Sequence, residues 1–498
     1  MILINKYIFP ALASVSLLLS ACKKDLLDVT PPDKLSTTIF WRSEADADLA
    51  LTGLYNYLYA PSSSWACAQY QIVGWDGYTD DVYSQHDYGG GRTATSSGIT
   101  PSSGGYVYSY YANNYRAIAA INSFLANVSK VLDGDKLNKY KAEAHFLRAF
   151  NYLYLAQLYG NVPIIKDDPF KVDFSKGMAK SPKAEVLKLV LDDLDIAIAA
   201  LPEESYSTGH AVKGTALAYK VRALMEQEDF PAAAATARQV IESNKFSLNP
   251  DYSANFHKAG QRASNEILFS VIFQAPNMVH LDAALSVTMH RWGGYAGTQD
   301  LIDEYEDNDP RLNMTWFFPG DGADKGWPFD DPAVASPGRG EWPANFYIPR
   351  KWLMPGVRNP DYGLQGDNDF VLMRYADLKL LFAEAQNEAV GPDASVYQQV
   401  NEVRNRPGVN MPPLPEGLNK EQMRERIRHE RRVELALEGI RYFDLRRWRI
   451  AKEKINGFAP NAAFPEVKLK YEDKYVFWPI PQTEIDRNHG ILEQNPGY

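Results

Sequence analysis

The chain has 498 residues, 45% of them hydrophobic, and a formal net charge of −10. That length is ample for a large core. The acidic balance, with no basic stripe, excludes the electrostatic footprint of a nucleic-acid binder. Its only cysteines are Cys22 and Cys67, so no disulfide framework staples the fold.

The N-terminus reads as a targeting segment. Lys6 precedes a short apolar run, Ile8 to Leu19, and then Leu19-Ser20-Ala21-Cys22. A charged start, an apolar core of this length and small residues before a cut site make a secretory signal over 1–21. The run is too short for a membrane span, which needs ~20 apolar residues. The Cys directly after the small pair resembles the lipobox of bacterial lipoproteins, which implies lipidation of Cys22. Lys23-Lys24-Asp25 loosely resembles the surface-export signal of some Gram-negative lipoproteins.

Helical signals follow in pairs. Ser43 can cap a helix predicted over 44–59, with Leu51, Leu54 and Leu58 on one stripe. Helices at 110–128 and 136–159 join at Asp133-Gly134. Ser181-Pro182 opens another, to 200, stopped by Pro202. Helices at 213–228 and 231–243 come next, then 375–389 and 396–405, broken at Gly391-Pro392. Asn419 caps a last long helix to 438, ended by Gly439. Ala218, Ala223, Leu224, Phe230, Ala234 and Ala237 alternate small and large positions across a tight turn. That resembles a tetratricopeptide repeat. Residues 142–154 and 375–385 look similar, with irregular spacing between pairs. Short strands are predicted at 267–273 and 475–480.

Two long stretches, about 60–106 and 275–360, are not helical. The first is rich in Ser, Gly and Tyr, and the second carries Trp292, Trp316, Trp327, Trp342 and Trp352. Long loops of this kind in a compact domain are usually functional or disordered, and their aromatic content argues for order. Common catalytic patterns are missing: G-x-S-x-G, H-E-x-x-H, Walker A and C-x-x-C. Glycoside hydrolysis needs only two suitably spaced carboxylates, and nothing positive points to it. Asp303, Glu304, Glu306, Asp307 and Asp309 crowd together, as do Asp321, Asp324, Asp330 and Asp331. Such oxygen ligands suit Ca²⁺, but neither cluster has EF-hand spacing. Both read as solvated acidic surface, so no cofactor is expected. Residues 421–449 hold nine Arg and six acidic residues. Glu425 with Arg428, Arg426 with Glu430, and Arg431 with Glu434 lie at helical spacing, so this helix is expected to pair its own charges.

The same run carries a resemblance. Residues 424–448, from Arg424-Glu425-Arg426 through Gly439-Ile440-Arg441-Tyr442-Phe443-Asp444 to Trp448, closely resemble the C-terminal signature of SusD/RagB outer-membrane lipoproteins. Arg374-Tyr375-Ala376-Asp377 with Phe382-Ala383-Glu384-Ala385, Asn401-Glu402-Val403-Arg404-Asn405-Arg406, and the ending from Pro479 to Tyr498 agree with it. The resemblance implies a mainly α fold. Tetratricopeptide-repeat-like helix pairs would form one globular domain over 22–498, with long irregular loop insertions and a few short strands. It also implies a lipid-anchored outer-membrane protein facing the cell exterior. Such a protein captures oligosaccharide and delivers it to a partner TonB-dependent, SusC-like transporter. It implies no enzyme. Capture of peptides by the same lid mechanism is the alternative; a glycan-active enzyme and a protein-binding scaffold are more remote.

Family members share no fixed ligand motif, so the candidate contacts come from the residues themselves. A flat aromatic ring covers the C–H face of a sugar, and neighbouring Asp, Asn or Arg satisfy its hydroxyls. The two loops offer Trp75, Tyr78, Asp80, Tyr83 and Arg92, and Trp292, Tyr295, Trp316, Trp327 and Trp342. Trp75, Tyr78, Trp292 and Tyr295 stand out. Each lies beside Gly, and Trp75, Tyr78 and Trp292 also beside a polar or charged residue, which suggests a ring exposed on a tight turn.

Overall fold

The computed structural model describes residues 40–59, 72–87, 91–281, 290, 292–331, 333–336, 340–341, 346–360 and 365–498. The signal segment, Cys22 and Trp342 lie outside them. The scaffold is helical: α1 (Glu44–Tyr59), α2 (Gly105–Asn127), α3 (Gly134–Tyr159), α4 (Lys183–Ala200), α5 (Lys213–Glu226), α6 (Phe230–Glu242), α7 (Tyr375–Val390), α8 (Ala394–Arg404) and α9 (Lys420–Glu434). Local chemistry sets the starts. Asp229 accepts from the Ala232 amide, and Pro231 occupies the first turn of α6. Asp393 caps α8 through the Ser395 and Val396 amides. Asn419 and Gln422 form a reciprocal capping box on α9. At α1 the expected cap runs the other way: Ser43 donates its amide and hydroxyl to the Asp46 carboxylate.

Each helix packs on the next in the order α2, α3, α4, α5, α6, and α6 then packs on α7 across residues 243–374. α7 pairs with α8 and α9, and α1 lies on α2 and α3. α3 is central, with nearly every residue from 142 to 159 buried, as expected of a helix enclosed on all sides. Ala142, Ala149, Ala218, Ala234 and Ala383 are buried at these contacts and let the axes approach. Phe146, Phe150 and Tyr219 fill the space between them, meeting edge-on or tilted with Phe269. Each such ring contributes ~1.5–3 kcal/mol by burial. A single apolar cluster runs from Ala47 to Leu492, with a smaller one shared by α7, α8 and α9.

The strands are short: β1 (Val82–Ser84), β2 (Ile267–Val271), β3 (Tyr295–Gly297), β4 (Trp316–Phe317), β5 (Ile348–Pro349) and β6 (Phe370–Arg374). They pair antiparallel as β1–β3, β2–β6 and β4–β5. The strand expected at 475–480 does not form. Asp473–Val476 is a 3₁₀ turn, and the Trp478 amide donates instead to the Leu158 carbonyl near the end of α3.

The acidic and basic runs behave differently from their sequence appearance. Of the three expected pairs within α9, only Arg428 with Glu425 forms. Arg426 reaches Glu306, and Arg431 reaches Asp377 and Asp444. Glu434 accepts from Arg311, Arg374 and Arg406. The cluster at 303–309 is therefore free acidic surface only in part: Asp303 and Asp307 are exposed, while Glu304, Glu306 and Asp309 are bound to Arg432, Arg404 and Arg311. No group of metal-binding side chains occurs among the described residues. α9 also ends earlier than expected. Leu437 and Gly439 both take positive φ. Lys351 takes the carbonyls of Glu434 and Ala436, Arg374 also takes that of Glu434, and Trp352 takes that of Leu437. Side chains from outside the helix thus satisfy the end that further turns would have covered.

Candidate functional site

The two loops singled out by composition meet in space. β1 pairs with β3 in the register Val82↔Gly297, Tyr83↔Ala296, Ser84↔Tyr295. The pairing continues beyond the strands. Gln85 donates its amide to the Gly294 carbonyl at 2.8 Å, and His86 Nε2 lies 3.3 Å from the Trp292 carbonyl. At the other end, Thr298 donates its amide to Asp81 O and its hydroxyl to Asp80 O.

Among the described residues, the end of the ladder at Gln85 and Gly294 carries the accessible groups. Trp292 and His86 are half-buried, and Asp87 and Arg92 are exposed. Arg92 Nη1 donates to Gln85 O at 2.7 Å. Asp87 accepts from the Thr93 amide and hydroxyl at 2.8 and 2.6 Å. Among the described residues, the two loops thus bring a large aromatic residue, an imidazole, a carboxylate and a guanidinium to the same end of the ladder. Such a set can cover an apolar face and bond hydroxyls around it. His86 and Asp87 were not among the residues expected to bind. Their signal was the polar run Ser84-Gln85-His86-Asp87 after Val82-Tyr83.

The other candidates among the described residues are buried and offer no ring face to a ligand. Trp75 is 4% exposed, with its ring centroid 4.7 Å from Tyr110, 5.4 Å from Trp478 and 5.6 Å from Tyr442. Tyr78 and Tyr295 are buried, and Trp316 and Trp327 are fully so. Tyr83 is buried too, its ring beside half-exposed Phe464. Glycine explains the reversal. A Cβ on Gly77 would lie 3.3 Å from Tyr295, and one on Gly91 3.4 Å from Tyr78. On Gly297 it would lie 2.8 Å from Trp316. Each Gly vacates space into which a ring packs. Trp327 sits with Phe317 and Phe329 in a separate apolar cluster beneath the second loop.

Asp80 is also internal. It accepts from Arg441 Nη2 at 2.6 Å and from Arg432 Nη2 at 3.3 Å. Burial opposes its charge, but Arg441 and Arg432 overcome that and hold its carboxyl below the usual range. For Asp81, burial wins over the same two arginines and raises it. Asp76 lies deeper. Burial first, then the Asp81 charge, push its carboxyl well up, and its Oδ2 accepts from the Gly439 amide.

The sequence from 240 to 498, more than half the chain, matches the model of the SusD family. The chain belongs to the SusD family. A second family model, described as starch-binding associating with outer membrane, matches 25–224. SusD-like protein P2 of Formosa agariphila is 27% identical, over 95% of this chain and 96% of its own. A SusD-like protein of Bacteroides ovatus is 24% identical, over 88% and 81%. Among solved structures, a SusD-like carbohydrate binding protein of Bacteroides fragilis superposes with a TM-score of 0.76 at 24% identity, covering 91% of this chain and 99% of that one. Surface glycan-binding protein A of Bacteroides thetaiotaomicron, in complex with laminarihexaose, gives 0.74 at 19%, covering 91% and 100%. At these identities the structural likeness is one of fold. The arginine-rich signature of this SusD-family chain lies inside the matched region, and its side chains are bound into the scaffold.

Proposed function

We propose that this chain captures an oligosaccharide at the junction of its two loops. We further propose that it serves as a lipid-anchored, outward-facing protein of the outer membrane and passes the ligand to a TonB-dependent transporter. The observation that carries the binding reading is the β1–β3 ladder, which sets half-buried Trp292 beside His86, through its backbone carbonyl, at the end of the ladder where Asp87 and Arg92 also lie. The ring face of Trp292 covers the C–H face of a sugar, and Arg92 and Asp87 bond its hydroxyls. The laminarihexaose complex of a neighbour in fold supports a glucan oligosaccharide as the ligand class. The outer-membrane association in the description of the N-terminal family model supports the location. The lipobox-like Leu19-Ser20-Ala21-Cys22 supports the anchor. We read the chain as a binder and not an enzyme, in keeping with its SusD-family match and a glycan-binding neighbour in fold.

The test is calorimetry of protein starting after Cys22 against plant, host and microbial glycans, with a peptide digest as control. Binding to one glycan class, weakened about tenfold or more by Trp292→Ala with the fold intact, is the expected result. Binding to the peptide digest alone would overturn the glycan assignment.

A further inference from the structure

The ladder that joins the two loops is too small to hold itself. β1 and β3 have three residues each, and an isolated pair of short strands is marginal in water. Something outside the pair must fix it. On the α9 side, one guanidinium meets four carboxylates drawn from both loops. Arg432 Nε donates to Asp81 Oδ1 at 2.8 Å, and Nη2 to Asp80 Oδ2 at 3.3 Å, just before β1. Nη2 also donates to Asp300 Oδ2 at 2.6 Å, and Nη1 to Glu304 Oε1 at 2.8 Å, just after β3.

α9 is a rigid place to fasten them. Its neighbouring Glu430, Arg431 and Glu434 are all buried in ion pairs with other elements. Arg441 gives the contrast: of the four carboxylates it reaches only Asp80 and Asp81, both in the first loop. A planar fork with five donors can serve several carboxylates at once; an ammonium is a point charge and cannot.

We propose that Arg432 is a positioning residue for the binding surface, tying both loops to α9 so that Trp292 and Arg92 face the same ligand. The ligand part rests on the glycan-capture reading; the tie itself does not. It touches no sugar, and acts through the loops.

Hydrogen exchange on the ligand-free protein tests the tie. Arg432→Gln should speed exchange in 79–87 and 299–304 together, while α3 stays at the wild-type level. Arg441→Gln should affect 79–87 alone. Asp300→Asn with Glu304→Gln, at accessible positions that leave the core intact, should affect 299–304 alone. Arg432→Lys should fall between wild type and Arg432→Gln. Affinity for laminarihexaose, used as the probe, should fall roughly tenfold in Arg432→Gln and in the Asp300/Glu304 variant. Faster exchange in one loop only, or equally across α3, would overturn the proposal, as would unchanged affinity in both variants. If the wild type binds no laminarihexaose, that probe assignment fails, and the exchange pattern alone decides the tie.

Discussion

Replacing Glu434 by Gln should be among the most damaging single changes in the chain, although the two side chains are nearly the same size. The Glu434 carboxylate is fully buried and accepts from Arg311 at 2.8 Å, from Arg374 at 2.7 Å and from Arg406. The surrounding network balances Arg311, Lys351, Arg374, Arg404 and Arg406 against Glu266, Asp309, Glu430, Glu434 and Glu438. An amide leaves one positive charge uncompensated and turns an NH₂ toward a guanidinium. Breaking a buried pair in this way costs about 3–5 kcal/mol. The shift in its acidity corresponds to a similar figure. Burial opposes the Glu434 charge, but Arg406, Arg374 and Arg311 bring the carboxyl down to about 2 from an ordinary 4.5. That shift corresponds to about 3 kcal/mol favouring the ionised form. Urea unfolding followed by circular dichroism measures the loss. Glu425→Gln, on the same helix but 70% exposed, is the control and should cost less than ~0.5 kcal/mol. A difference between the two variants below about 1 kcal/mol would refute the reasoning.

The same carboxylate predicts acid sensitivity. A folded pKa of about 2 lies below the unfolded value, so this stabilisation is complete above about pH 4.5 and is lost as pH falls toward 2. Stability measured across that range should decline, and the decline should be shallower in Glu434→Gln. Trp75→Ala, in the buried aromatic cluster, should cost about 3–5 kcal/mol of stability. Trp292→Ala should leave the melting temperature nearly unchanged while lowering glycan affinity; thermal melts and calorimetry on both variants separate these roles. Gly297→Ala would drive a Cβ to within 2.8 Å of Trp316. It should cost about 1–3 kcal/mol by overpacking, measurable in the same unfolding assay.

The helical scaffold was legible because its signals are local. α1 runs over the residues its leucine stripe marks, and Asn419 caps α9 as its side chain predicts. The family signature was legible as a string. What could not be read was where each charge goes. Glu434 and Arg431 sit at helical spacing, yet each prefers partners more than ten residues away, because burial rewards several bonds per charge over one. For the candidate site, composition picked out the two loops that meet in the structure, but not which of their rings are buried. Gly next to an aromatic residue suggested an exposed turn, but Gly77, Gly91 and Gly297 make room for Tyr295, Tyr78 and Trp316 to be buried. Of the four preferred aromatics, Trp292 alone keeps an accessible surface.

A crystal structure of the complex with the best-bound oligosaccharide tests the central claim most directly. The account predicts a sugar ring on the face of Trp292, with hydroxyls bonded by Arg92 and Asp87. A ligand held elsewhere, such as the 420 Å³ groove that Tyr108 and Tyr115 of α2 form with Phe174, would contradict it.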